Sequence, residues 1–183
     1  MTWLNSYIIY LHLFGGNMLA LTIKDTKNFM SQLLIKNVFD SFYLSEASIK
    51  TANSYVINGE VNRDFFTGEE FEQLSDKKYS RWTSIKPFCF NLIKGSKVPS
   101  FMKIVFVIPD EMTSKLISES GADFSVDSIN GLFLNIRYTD GVATVVTGVS
   151  LNIFTMDKSL EHYFDSFIKS FLFEHKIDFE EQS

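Results

Sequence analysis

The sequence predicts an α+β domain, an antiparallel or mixed sheet of about six strands packed by helices. Three observations predict it. In residues 132–138, Leu132, Leu134, Ile136 and Tyr138 alternate with Phe133, Asn135 and Arg137, and Asp140-Gly141 follows as a two-residue hairpin turn. Over 157–175, Leu160, Tyr163, Phe164, Phe167, Ile168, Phe171 and Leu172 recur at helical spacing. The order strand, helix, hairpin occurs twice, over 19–61 and 102–151, as a duplicated unit would leave it.

Taken in order, residues 1–17 carry no formally charged side chain and have an apolar run over 8–14. A secretory signal needs a basic stretch first and a small-residue cleavage site after, and a spanning helix needs about 20 apolar residues. Neither pattern is present, so no membrane partner is expected. Two readings of the segment stand. In one it is upstream sequence read in frame, because codons for Gly15-Gly16-Asn17 can spell a purine-rich ribosome-binding site ahead of Met18. In the other it is an apolar arm that docks on the body or a partner. Residues 18–183 form one domain, with pseudo-halves 18–97 and 98–183.

From Met18, residues 19–23 read as a short strand, and Asp25 caps a helix through Phe29, Met30, Leu33 and Leu34. Residues 39–61 read as two or more strands with Asn58-Gly59 as the hairpin turn. Thr67-Gly68-Glu69-Glu70 is a capping box, so a short helix follows through Phe71. Trp82, Ile85, Phe88, Cys89, Leu92 and Ile93 make the next helical stripe, ending before Gly95. Proline suits a first turn, so the firm helix is placed at 87–94, with 80–86 as a turn or a separate short helix. The apolar run 101–108 reads as a buried strand, Asp110 to Gly121 as a helix, and Thr147-Gly148 as a bulge. On the last helix Asp165 and Lys169 are an i,i+4 pair on the wet side, and the acidic tail 178–183 is expected to fray.

Composition narrows the function classes. The chain has 183 residues, 45% hydrophobic and 21% charged, with nineteen Phe and seven Tyr to fill a core. Net charge −5 excludes a chain-wide basic surface for nucleic acid or acidic membranes. A lone Cys89 cannot form an intramolecular disulfide, which fits a reducing cytoplasm. His12, His162 and His175 are far apart and no CxxC, HExxH or DxDxDG pattern occurs, so no metal or other cofactor is expected. GxSxG, GxxxxGK[ST] and GxGxxG are missing as well. Cys89 sits between Phe88 and Phe90, where desolvation disfavours a thiolate, and His162 with Glu161 and Asp165 reads as a solvated helix face.

Trp82 with Lys86-Pro87-Phe88-Cys89-Phe90, Leu92-Ile93-Lys94-Gly95, Leu134-Asn135-Ile136-Arg137-Tyr138 and Thr147-Gly148-Val149-Ser150-Leu151 resemble an uncharacterised family of clostridial and related bacterial proteins. The resemblance runs from Met18 to about Glu181 and implies that members begin where Met18 stands. That family is classed as a domain of unknown function, so the resemblance implies no activity and no site residues. The doubled order also looks like the half-domains of sliding clamps or TATA-binding proteins, in topology alone.

Two clusters merit attention as sites. Residues 18–97 hold eleven Lys and Arg against nine Asp and Glu, whereas 98–183 hold six against thirteen. Within the first half Lys77, Lys78, Arg81, Lys86, Lys94 and Lys97 interleave with Tyr79, Trp82, Phe88 and Phe90, the pairing of cations and rings that single-stranded nucleic acid requires. The competing reading is a solvated helix whose aromatic stripe is core. On the hairpin, Asn135, Arg137 and Thr144 lie opposite the apolar alternation, either as a groove with Arg137 as an anion fork or as a plain exposed face. Three functions remain open: a non-enzymatic interaction or accessory protein with a protein partner, a nucleic-acid or nucleotide binder through 77–97, and an enzyme with a pocket between Arg137 and Lys94. The first is preferred because no catalytic residues are found. Oligomeric state is left open.

Overall fold

The computed structural model describes residues 18–76, 78–95 and 97–182. The alternative starts considered for residues 1–17 lie outside the described residues. Along the chain come β1 (Ala20–Ile23), α1 (Thr26–Leu34), β2 (Tyr43–Lys50), β3 (Ser54–Asn58), α2 (Gly68–Gln73), α3 (Trp82–Ile93), β4 (Phe101–Val107), α4 (Asp110–Ser120), β5 (Ile129–Thr139), β6 (Val142–Leu151), α5 (Ser159–Glu174) and β7 (Phe179–Glu181). The sheet has seven strands in the order β3-β2-β4-β5-β6-β1-β7, every neighbouring pair antiparallel. The chain is α+β as predicted. The two strand-helix-hairpin stretches interleave in space, because β1 pairs with β6 and not with β2.

The β5–β6 hairpin has the predicted turn and register. Asp140 and Gly141 take φ of 51° and 84°, so both central residues have the positive φ that a tight turn between right-twisted strands needs. Leu132, Leu134, Ile136 and Tyr138 pair with Val149, Thr147, Val145 and Ala143. These residues join Leu21, Leu44, Ile104 and Phe106 on one face of the sheet, and the helices bury Phe29, Leu33, Trp82, Leu116, Phe164, Ile168 and Leu172 against it in one core. Asp25 caps α1 through the Asn28 amide at 2.9 Å, and Thr67 and Glu70 complete the capping box of α2. Gly121 closes α4 at φ 71°. No described helix is long and apolar enough to cross a membrane.

Other expectations are corrected. The β2–β3 hairpin turns at residues 51–53, and Gly59 is a close-approach site: a Cβ there would lie 1.9 Å from the Leu44 carbonyl oxygen. The seventh strand is the tail expected to fray. β1 would otherwise present an unpaired edge, and β7 covers it, with Gln182 N–H bonded to the Ala20 carbonyl and Lys24 paired with Glu180. No register shift occurs at Thr147-Gly148; the β5–β6 irregularity lies between Ile129 and Gly131. β4 is buried on one face only, its residues alternating between core and half-exposed positions.

Helix α3 begins at Trp82 and contains Pro87, so 80–86 is not a separate element. Tertiary bonds fix that start: the Trp82 amide donates to Phe42 O at 2.8 Å and its indole Nε1–H to Leu33 O at 2.8 Å. Pro87 deletes one hydrogen bond near the helix N-terminus, to the carbonyl of exposed Thr83, where water is available. At roughly 100° per residue, Trp82, Ile85, Cys89 and Ile93 share one face, while Phe88 and Phe90 fall about 100° to either side. Phe88 is accordingly 64% and Phe90 37% exposed, a correction to the predicted stripe.

Asp165 lies over the sheet and not on the wet side. It accepts a hydrogen bond from Thr147 Oγ1, while Lys169 pairs with Glu181 of β7 at 2.8 Å. Burial pushes the Asp165 carboxyl up, outweighing the Thr147 bond and the charges of Lys169 and His162; Glu161 pushes the same way as burial. A folded-state pKa above the unfolded one gives stability that is present at acid pH and lost as pH rises through the folded value. Asp165→Asn is therefore expected to raise stability at pH 7 by up to about 1 kcal/mol, allowing for solvent screening at this half-buried site. Thermal melts of both proteins at pH 7 and pH 4 check it, the difference shrinking at the lower pH.

Candidate functional site

The basic and aromatic segment does not converge on one surface. Trp82 is fully buried, and its indole caps the C-terminal carbonyls of α1, so it offers no platform for a base. Lys86 Nζ serves the same helix end, donating to Lys36 O at 2.8 Å and to the Asp40 carboxylate. Arg81 grips Asp76 with two bonds, Nε to Oδ2 at 2.7 Å and Nη2 to Oδ1 at 2.9 Å. Lys78 is exposed, with Nζ 5.2 Å from the centre of the Tyr79 ring. Lys94 and Lys97 are exposed beyond the far end of α3, about 18 Å along its axis from Arg81. Lys77 lies outside the described residues.

Arg81 and Asp76 belong to a triad that sequence reading did not find. The Tyr43 hydroxyl donates to Asp76 Oδ1 at 2.7 Å, and the Arg81 guanidinium lies 5.2 Å from the Tyr43 ring centre. The strap 59–81 brings them together: Tyr43 bridges Arg81 and Glu60 bridges Tyr79, placing a short extra pairing beside β2. A cavity of about 110 Å³ lies beside the triad, lined by Tyr43, Asp76, Lys78, Asp110, Thr113 and Asn130 among others. Burial and the Asp76 bond push Tyr43 up to about 12. Burial raises Asp76 too, but the bonds from Arg81 and Tyr43 outweigh it and hold the carboxyl below its usual value. Tyr43 is thus a fixed donor and Asp76 a fixed carboxylate, and the triad supplies no proton relay near neutrality.

Cys89 is buried, and desolvation pushes its thiol up to about 11. Among the described residues, no group of three or more His, Cys, Asp or Glu side chains is placed to hold a metal ion.

Asn135 and Arg137 lie on the sheet face opposite the core, and α3 with Lys94 packs on the core face. The sheet itself separates them. The pocket expected between Arg137 and Lys94 is therefore not formed. Arg137 stacks its guanidinium 5.3 Å from the Phe101 ring centre, and its Nε is buried without an acceptor.

A second feature missed in the sequence is the segment 152–157 between β6 and α5. Asn152 ties one end, its amide donating to Ser128 O at 2.9 Å and its Nδ2 to Asp127 O at 2.6 Å. Asp157 ties the other, accepting from Ser159 N at 2.8 Å, Ser159 Oγ at 2.6 Å and Asp123 N at 3.3 Å. Between these tethers Phe154 is 92% and Met156 82% exposed, with Ile153 and nearby Val126 also outside. The available signal was the apolar pattern Ile153-Phe154-Thr155-Met156 set between two side chains, Asn152 and Asp157, suited to bonding backbone.

A family model described as a family of unknown function (DUF5721) matches residues 32–180. The chain belongs to that family. Searches of curated proteins and of solved structures returned no match. The DUF5721 match spans the Tyr43–Asp76–Arg81 triad, the Arg137 face and the 152–157 segment, so every candidate described above falls within it. β1 precedes the matched DUF5721 region, yet it fills the gap between β6 and β7.

Proposed function

We propose that this protein is a non-enzymatic interaction protein of a bacterial cytoplasm, which engages a protein partner through the tethered segment 152–157. The observation that carries the reading is Phe154 and Met156 held outward on a loop bonded at both ends. Exposing two large apolar side chains on a fixed backbone is unfavourable in water, and such side chains are the kind that anchor interfaces when a partner's pocket desolvates them. The tethers are acidic at Asp123, Asp127 and Asp157. A second copy related by symmetry would set these carboxylates against each other, so the fitting partner is a different protein whose apolar pocket has a cationic rim. The locked Tyr43–Asp76–Arg81 triad and the inert Cys89 support a binding role over catalysis.

The test is affinity capture of the tagged full chain from nuclease-treated lysate, beside Phe154→Ser/Met156→Ser. The double variant is expected to keep its melting temperature, since both side chains are exposed. It should lose the proteins that the parent retains. An identical retained set, or retention that disappears on nuclease treatment of the parent, would remove the reading.

A further inference from the structure

The sheet face away from the core is covered by none of the described long helices, whose buried residues all point into the single core. Register arranges this face in rows that cross the strands. One row holds Lys50 beside Phe101; the next runs Ser48, Lys103, Arg137, Thr144; the third runs Glu46, Val105, Asn135, Val146; the fourth holds Val107, Phe133 and Gly148. Rows lie about 7 Å apart and neighbouring strands about 4.8 Å apart.

Two features of the second row are unfavourable for the folded protein alone. Lys103 and Arg137 are directly opposite each other, and like charges in that position repel. Glu46 approaches Lys103 at 3.4 Å, but no described carboxylate comes within ion-pair distance of Arg137, whose buried Nε has no hydrogen-bond acceptor. An uncompensated donor beside a second cation marks a place for an anion from outside.

We propose that this face binds single-stranded nucleic acid, with Lys103 and Arg137 as phosphate contacts. Lys50 extends the cationic row on one side. The apolar rows below, Val105, Val146 and Phe133, give bases a surface, and Asn135 lies among them with an amide able to donate or accept. Phosphate and base are thus served about one to two rows apart, which an acidic peptide does not require. The rest of the molecule is acidic, so binding is confined to this face, short in footprint and sensitive to salt. The site is independent of the 152–157 segment.

The experiment is fluorescence anisotropy with a labelled oligothymidylate of about twelve nucleotides and the full chain, at several salt concentrations. With three cations engaged, the slope of log K against log salt is expected near −2, about a fifteenfold loss from 50 to 200 mM. Arg137→Ala and Lys103→Ala should each weaken binding and flatten the slope by roughly one. Glu46→Gln should tighten binding, an outcome that a merely structural role for Lys103 would not produce. Phe154→Ser/Met156→Ser should bind as the parent does, so failure here is distinguishable from failure of the protein-partner reading. Absence of binding by the parent at 50 mM salt overturns the proposal. So does binding indifferent to Arg137→Ala and Lys103→Ala, or poly-glutamate bound as tightly with the same sensitivity to the variants.

Discussion

Trp82→Ala is expected to lower the stability of the protein by about 4 kcal/mol, a large part of the 5–15 kcal/mol that holds an ordinary domain together. The side chain is completely buried, and its ring meets Phe106 edge-on at 5.1 Å between centroids. Its deletion leaves a cavity in the middle of the core. It also removes the donor to Leu33 O, so a carbonyl at the end of α1 is left buried and unpaired. Trp82→Phe separates the two effects, because it keeps a ring in the core and loses the N–H; its cost is expected at about 1–2 kcal/mol. Urea unfolding followed by far-UV circular dichroism measures both. If Trp82→Ala unfolds at the same urea concentration as the parent, Trp82 does not join α1 to α3.

Gly59→Ala is expected to cost about 3 kcal/mol, as much as many core truncations, although it adds a single methyl group. The methyl carbon would sit inside the Leu44 carbonyl, a backbone atom that no rotamer change can move. Relief requires separating the strands, but Gly59 N donates to Ser45 O at 2.9 Å and Ser80 N donates to Gly59 O at 2.8 Å. Both bonds hold the strap 59–81 and with it the Tyr43–Asp76–Arg81 triad. Gly121→Ala is the informative comparison. Gly121 has φ 71° with open space around it, so its penalty is conformational and near 1 kcal/mol. Equal thermal shifts for the two variants would show that backbone contact is not what Gly59 serves.

These two residues also show where sequence is legible. The Asp140-Gly141 turn, the Thr67 capping box, the Asp25 cap and Gly121 are local: the residues that bond are within a few positions of one another, and so spacing reveals them. Alternation across that turn even fixes which residues of β6 share a face with Leu134 and Ile136. Asn58-Gly59 has the same local signature as a turn, and only Leu44, far back in the chain, makes it a contact site. The tail Phe179–Glu181 has no strand pattern of its own and is a strand because β1 lacks a partner. Trp82 shows the converse, since two distant carbonyls start α3 five residues ahead of Pro87. For the candidate sites, Arg137 was placed on the correct face by alternation, while nothing local shows that it stands opposite Lys103. The 152–157 segment was readable in principle and passed unnoticed, because an apolar stretch of four residues looks like core until its surroundings are known.

The placement of β1 has a consequence for how the chain is made. Leu21 pairs with Val145 on one side and Glu181 on the other, both more than a hundred residues later. At a ribosomal pace of about 5–20 residues per second, the earliest strand waits on the order of ten seconds for its first neighbour and longer for its second. During synthesis it is an unprotected apolar ribbon, and assembly is governed by contacts of high sequence separation, which slow folding. Truncations that remove the last few residues should therefore aggregate during expression more than their small loss of buried surface would suggest.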